Sequence, residues 1–131
     1  MSVRSKRDLR IVIADDEADA AATLHRLLSE RGFHVIAVAY DGQMALDLAH
    51  SARPNVLILD IGMPQINGLE VARRVRQSFG ESPRLIAVTG WGTQQDRLAT
   101  QEAGFNAHFV KPVKWNEIET LLSSYIATEA N

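Results

Sequence analysis

Cysteine is absent from this chain of 131 residues, which excludes disulfides, thiolate nucleophiles and sulfur-rich metal sites. An excess of charge of one sign is absent too. Lys and Arg number 14 against 16 Asp and Glu, a net charge of −2, so the balance gives no electrostatic footprint for nucleic acid or an anionic membrane. Long apolar runs are missing: the longest have the length of a strand, too short for a transmembrane helix. The basic start MSVRSKRDLR leads into no apolar signal core. There is no internal repeat, low-complexity tract or interdomain linker. What remains is a chain of one-domain length with 46% apolar residues, enough to bury a core. The expectation is a cytoplasmic protein without membrane association.

Two kinds of segment alternate. Leu9–Ala14, Val35–Ala39, Val56–Leu59, Leu85–Val88 and Ala107–Val110 are short and mostly apolar, as strands buried on both faces are. Between them apolar residues recur at helical spacing: Leu24, Leu27 and Leu28; Ala45, Leu48 and Ala49; Ala72, Val75 and Phe79; Ile118, Leu121, Leu122 and Tyr125. The fourth helix, over 93–103, has only Leu98, Ala99 and Ala103 at apolar positions. Gly32 and Gly104 read as helix stops, Asp41-Gly42 and Asn67-Gly68 as helix starts. The alternation βαβαβαβαβα predicts an α/β fold, a parallel sheet with helices on both faces. The expected domain spans 9–127, with 1–8 a flexible polar lead-in and 128–131 a C-terminal tail.

In open α/β sheets, ligands bind beyond the carboxyl ends of the strands. Asp15, Asp16 and Glu17 follow the first strand, Asp60 the third, Thr89 and Gly90 the fourth, and Lys111 and Pro112 the fifth. If the first and third strands are neighbours, Asp15, Asp16 and Asp60 converge, and three carboxylates so close repel one another. A hard cation relieves this, and oxygen ligands without clustered His or Cys suit Mg²⁺ (or Mn²⁺). A carboxylate can also attack phosphorus to form an acyl phosphate. The charge spread over the phosphoryl oxygens would then be met by the cation, the Lys111 ammonium and the Thr89 hydroxyl.

These residues, in the segments IVIADDE, VLILDIGMPQINGLEVARRVR, LIAVTGWG and AGFNAHFVKPV, resemble the receiver (response regulator) family of two-component signalling over about Leu9 to Ile126. The resemblance implies a flavodoxin-like (βα)5 sandwich with strand order 2-1-3-4-5. It implies Asp60 as phosphoacceptor, with Asp15, Asp16, Asp60 and the Gly62 carbonyl as metal ligands and Thr89 and Lys111 on the phosphoryl oxygens. It also implies a cis Lys111–Pro112 bond. Thr89 and the aromatic position of the fifth strand, here His108, would form a switch acting on the face of helix four, strand five and helix five. The implied partner is a histidine kinase or a histidine phosphotransfer protein, with no direct contact to nucleic acid and a monomer or weak dimer in solution. The spelling of the last two segments is similar to receivers of hybrid histidine kinases, although a stand-alone receiver fits equally. The domain would not be a conventional enzyme, only catalysing its own phosphorylation and slow hydrolysis.

Competing readings have specific weaknesses. A Mg²⁺-dependent phosphohydrolase usually carries a DxD motif on the first strand, where this chain has contiguous Asp15-Asp16. A flavin or nucleotide carrier on the same fold needs a glycine-rich phosphate loop where Asp15, Asp16 and Glu17 stand. A pseudo-receiver would have lost part of the Asp, Thr and Lys set. His25, His34 and His50 show no metal spacing and no dimerisation-helix setting. Trp91 is expected on the loop after strand four and Trp115 at the last helix. Arg73, Arg74 and Arg76 read as one solvated helix face.

Overall fold

A computed structural model describes residues 3–126 of the chain. Strands and helices alternate in chain order: β1 Arg10–Ala14, α1 Ala18–Glu30, β2 His34–Ala39, α2 Gly42–Ala52, β3 Val56–Asp60, α3 Gly68–Phe79, β4 Arg84–Thr89, α4 Gln94–Ala103, β5 Ala107–Val110 and α5 Trp115–Ser124. All strand pairs are parallel, in the order β2-β1-β3-β4-β5, so the flavodoxin-like α/β fold is present.

The strand interiors are mostly apolar because both faces of the sheet are covered. Ile11, Ile13, Val56, Ile58, Ile86 and Val88 face one way and pack with Leu28 of α1 and Ile118 and Leu122 of α5. Val12, Ala14, Leu57, Leu59, Leu85 and Ala87 face the other way, against Ala45 and Ala49 of α2 and Val71, Ala72 and Val75 of α3. The alternation is the period-two pleat of a strand, filled from both sides. Small residues dominate the second layer and let its helices approach the sheet closely.

Helix ends follow the sequence signals. Asp41 and Asn67 cap α2 and α3 through side-chain oxygens that accept from Met44 N and Glu70 N. Thr93 and Asp96 form a reciprocal capping box on α4. Gly104 ends α4 at φ 104, a left-handed position that suits glycine.

Several expectations need correction. β3 and β4 run one residue further than the apolar runs, so Asp60 and Thr89 are the last residues of their strands, not the first beyond them. The ladder continues because Asp60 is paired with Val88 and Thr89 with Val110. On α4, Leu98 is 49% exposed, and the buried positions are Thr100 and Ala103. The third correction concerns Arg76, which is not on a solvated face. Its guanidinium donates to the carbonyls of Gly104, Gly80 and Pro83 and to Asn106 Oδ1 at 2.7–2.9 Å. Arg73 and Arg74 do stay on the surface, paired with Glu70.

The polar lead-in carries contacts of its own. Asp8 Oδ2 accepts from Arg4 N and Ser5 N, and Lys6 Nζ donates to the Arg31 carbonyl beside the Phe33 ring. Leu9, expected in the first strand, lies just before it and is buried.

Candidate functional site

Strand register decides which side chains meet. Ala14 is paired with Leu59, so Asp15 and Asp60 emerge side by side at the carboxyl edge of β1 and β3. Lys111 follows β5 directly, and its N–H donates to the Thr89 carbonyl at 2.7 Å. Asp15, Asp16 and Asp60 each offer an oxygen within 4.8 Å of the others. Lys111 Nζ stands 3.3 Å from Asp15 Oδ2, 3.6 Å from Asp60 Oδ2 and 3.6 Å from Glu17 Oε1. In the sequence Glu17 is only part of an acidic stretch; its approach to Lys111 depends on tertiary structure.

Asp60 is 6% exposed. Its Oδ1 accepts from the Gly62 N–H at 3.2 Å, the contact that the β3–α3 turn makes here. Its pKa is raised from 3.8 to about 6, by burial first, with Asp15 and Asp16 adding to the rise and the Gly62 hydrogen bond and Lys111 opposing it. For Lys111, burial favours the neutral amine, but Asp60, Asp15 and Glu17 outweigh it and raise the pKa. The site is thus an acidic pocket with one fixed ammonium, holding more negative charge than it can comfortably neutralise. Hard oxygen donors in such a cluster fit a divalent cation of the Mg²⁺ type.

Asp15 also serves the fold, its Oδ1 accepting from Glu17 N at the start of α1. Asp16 is exposed. Thr89 is buried, and its hydroxyl accepts from Trp91 N at 3.2 Å. A Cβ on Gly90 would meet no atom within 4 Å, so there is open space beside the end of β4. The Lys111–Pro112 bond is cis, and so is Ser82–Pro83. His108 does not pack as a simple aromatic; it bonds to Thr100 and to the Trp91 carbonyl. Trp91 is 65% exposed. Trp115 begins α5 with the Arg31 guanidinium stacked on its ring.

Gly68 sets the position of Asp60 from behind. A Cβ there would lie 2.6 Å from the Asp60 carbonyl oxygen and 2.8 Å from Ile61 Cα. Both are backbone atoms and have no rotamer to change. Gly68→Ala is expected to cost about 2 kcal/mol in urea unfolding, in the range of overpacked sites. It should also slow any chemistry at Asp60, because the displaced atoms belong to the strand end that carries its side chain.

A sequence profile described as the response regulator receiver domain matches residues 11–123. The chain belongs to the response regulator receiver family. The receiver is 36% identical over 110 residues to the response regulator MprA of Mycobacterium avium (strain 104), an alignment covering 84% of this chain and 47% of that protein. It therefore spans about half the length of the curated relatives it matches. Among solved structures it resembles the signal receiver domain of the putative response regulator NarL from Mycobacterium tuberculosis, with TM-score 0.82, 28% identity, and coverage of 89% of this chain and 95% of that one. The Francisella response regulator 1452 receiver domain shares the fold at TM-score 0.83 and 21% identity, covering 88% of this chain and 94% of that one. The receiver is thus a phosphoacceptor module of two-component signalling. Among its described residues, no helix is long and apolar enough to cross a membrane.

Proposed function

We propose that Asp60 is the residue phosphorylated in this receiver, with Asp15, Asp16 and Asp60 holding Mg²⁺ or Mn²⁺ and Lys111 and Thr89 binding the phosphoryl oxygens. The observation that carries this reading is the convergence of the three carboxylates and Lys111 Nζ at one strand edge. Bound there, the cation would supply the positive charge that lets a carboxylate and a phosphoryl group share the site. The Gly62 carbonyl is a fourth candidate ligand by family resemblance; the described contact of Gly62 is its N–H on Asp60.

A carboxylate oxygen of Asp60 forms the new bond to phosphorus while the bond from phosphorus to the donor's imidazole nitrogen breaks. The imidazole keeps that electron pair and takes a proton from solvent. Lys111 Nζ already faces Asp15, Asp60 and Glu17 and can turn to a phosphoryl oxygen without crossing the site. Thr89 lies one residue beyond the ladder partner of Asp60, so its hydroxyl can reach the same group from the neighbouring strand.

The donor is a phosphohistidine on a histidine kinase or a histidine phosphotransfer protein. Support comes from a mostly apolar groove that opens beside Asp15 and Lys111, between Ala20, Thr23 and Leu24 of α1 and Pro112, Val113 and Trp115. A helix bearing the phosphohistidine fits such a groove. Thr23 is exposed and lines it, so Thr23→Arg should leave folding unchanged while obstructing the partner. Transfer from a phosphorylated protein donor is expected to slow by about tenfold, the equivalent of about 1.4 kcal/mol. Labelling by acetyl phosphate should stay at the wild-type rate.

The module works in the cytoplasm, as a monomer or weak dimer, in a stand-alone receiver or a hybrid kinase. Its output passes through protein contacts of α4, β5 and α5, since a net charge of −2 offers no surface for nucleic acid. The direct test is incubation with acetyl phosphate and Mg²⁺, followed by intact mass and peptide mapping. One phosphoryl group per chain, on the peptide containing Asp60, is the expected result. Labelling at another residue would refute the assignment.

A further inference from the structure

At the amino edge of the sheet, the edge away from Asp60, the starts of four strands surround a cavity of about 510 Å³. Leu9 and Asn55 stand directly before β1 and β3, Arg84 opens β4, and Asn106 stands directly before β5. The volume falls within the range of small-molecule sites. The chemistry at Asp60 makes no use of this cavity.

Its polar lining consists mostly of donors. Arg10 N–H donates to Asn55 Oδ1 at 2.7 Å, and Leu85 N–H to Asn106 Oδ1 at 2.8 Å. A backbone N–H can only donate, so each amide turns its oxygen to a strand and its NH₂ away from it. Neither NH₂ has an acceptor among the described residues, and neither is sealed from open space. The Arg84 guanidinium makes no hydrogen bond or ion pair among the described residues; it lies over the Tyr125 ring, 4.7 Å from the centroid. Stacking holds a flat guanidinium in place and leaves its N–H edge free. Arg76, by contrast, is spent on three carbonyls and Asn106. Two guanidinium groups thus share the cavity with one carboxylate, that of Glu81. Burial lowers the Arg76 pKa, Glu81 opposes this and Arg84 adds to it, the mark of positive charge in excess.

We propose that this cavity binds a small organic monocarboxylate with a flat apolar body. The planar fork of Arg84 matches the two carboxylate oxygens, and the NH₂ groups of Asn55 and Asn106 supply further donors. Two positive charges stand against one negative, an excess that a single carboxylate neutralises and a phosphate dianion exceeds. The Tyr125 ring and the side chains of Val3 and Leu9 give the organic part an apolar wall. The site is independent of Asp60, because it lies at the other end of the same strands.

The test is an NMR titration of the isotopically labelled full chain in Mg²⁺-free buffer, read at the side-chain NH₂ signals of Asn55 and Asn106. Naphthoate is the probe, with acetate and inorganic phosphate for comparison. Naphthoate is expected to shift both signals to saturation, and acetate, which lacks the apolar body, to bind at least about tenfold more weakly. Arg84→Gln removes the charge of an exposed side chain and should weaken naphthoate about tenfold, the scale of one charge-assisted hydrogen bond. Asn55→Asp keeps the oxygen that faces Arg10 N–H and replaces the NH₂ by a second oxygen, so naphthoate should bind at least about fivefold more weakly. Glu81→Gln removes the opposing charge and should tighten binding about twofold. Unchanged strand amide signals report an intact fold in each variant. Shifts that stay linear with concentration, wild-type affinity in Arg84→Gln or Asn55→Asp, or phosphate binding as tightly as naphthoate would overturn the proposal.

Discussion

Asp60→Asn will abolish labelling by acetyl phosphate and, without divalent cation at neutral pH, will make the protein more stable. The loss of labelling follows from removing the nucleophilic oxygen. The gain in stability follows from electrostatics. Asp60 has its pKa raised from 3.8 to about 6 in the folded protein, by burial first and by Asp15 and Asp16 beside it. A carboxyl group raised in this way favours the fold while it is protonated, below about pH 4. That contribution is lost as pH rises through about 6. Asn carries no charge and suffers no such loss. The displacement of about two pH units corresponds to about 3 kcal/mol, which water at the open mouth of the site reduces to about 1–2 kcal/mol. The variant should therefore match the wild type near pH 4 and exceed it in urea unfolding at pH 7. Adding Mg²⁺ should reverse the order, since a cation at a hundred times its dissociation constant stabilises the wild type by about 2.7 kcal/mol. Equal stability at all pH values would mean that Asp60 is not electrostatically strained.

Arg76→Ala should be the most damaging of the arginine substitutions on α3, costing about 3 kcal/mol, as expected when a charged donor leaves several carbonyls unpaired. The guanidinium joins the end of α3, at Gly80, to Pro83 before β4, and reaches Gly104 and Asn106 between α4 and β5. Asn106 Oδ1 also accepts from Leu85 N, so losing Arg76 loosens a side chain that anchors the start of β4. The Arg76 stem packs where Gly104 has no side chain, its Cγ 2.6 Å from where a Cβ would be. Arg73→Ala is the control. That side chain is exposed and pairs only with Glu70 among the described residues, so its removal should change stability by less than about 0.5 kcal/mol. Chemical denaturation of the two variants separates the roles; similar losses would show that Arg76 has no special place.

The contrast between Arg73 and Arg76 shows where sequence reading stops. Neighbouring arginines on a helix look alike in the chain, and their spacing says only that they lie near one surface. What distinguishes Arg76 is a cluster of carbonyls delivered by Gly80 and Pro83 from the connection between α3 and β4 and by Gly104 from the connection between α4 and β5. Thr100 was missed for a related reason. A polar residue inside an otherwise weak helical pattern carries no hydrophobic signal, and its burial is tolerated because His108 and the Arg97 carbonyl satisfy its hydroxyl. Leu98 erred the other way, apolar yet exposed on a helix that buries little.

The sequence by itself determined the alternation of strands and helices, because a sheet covered on both faces demands apolar runs and its helices demand one apolar stripe each. It also determined which residues arrive at the carboxyl edge, since each candidate ends or directly follows an apolar run. Tertiary structure alone decided the rest. Parallel register set Asp15 beside Asp60 and brought Lys111 within 3.6 Å of both, distances that no spacing along the chain encodes. It also turned the acidic edge into a site with a raised Asp60 pKa, because burial and charge proximity arise only once the strands are paired.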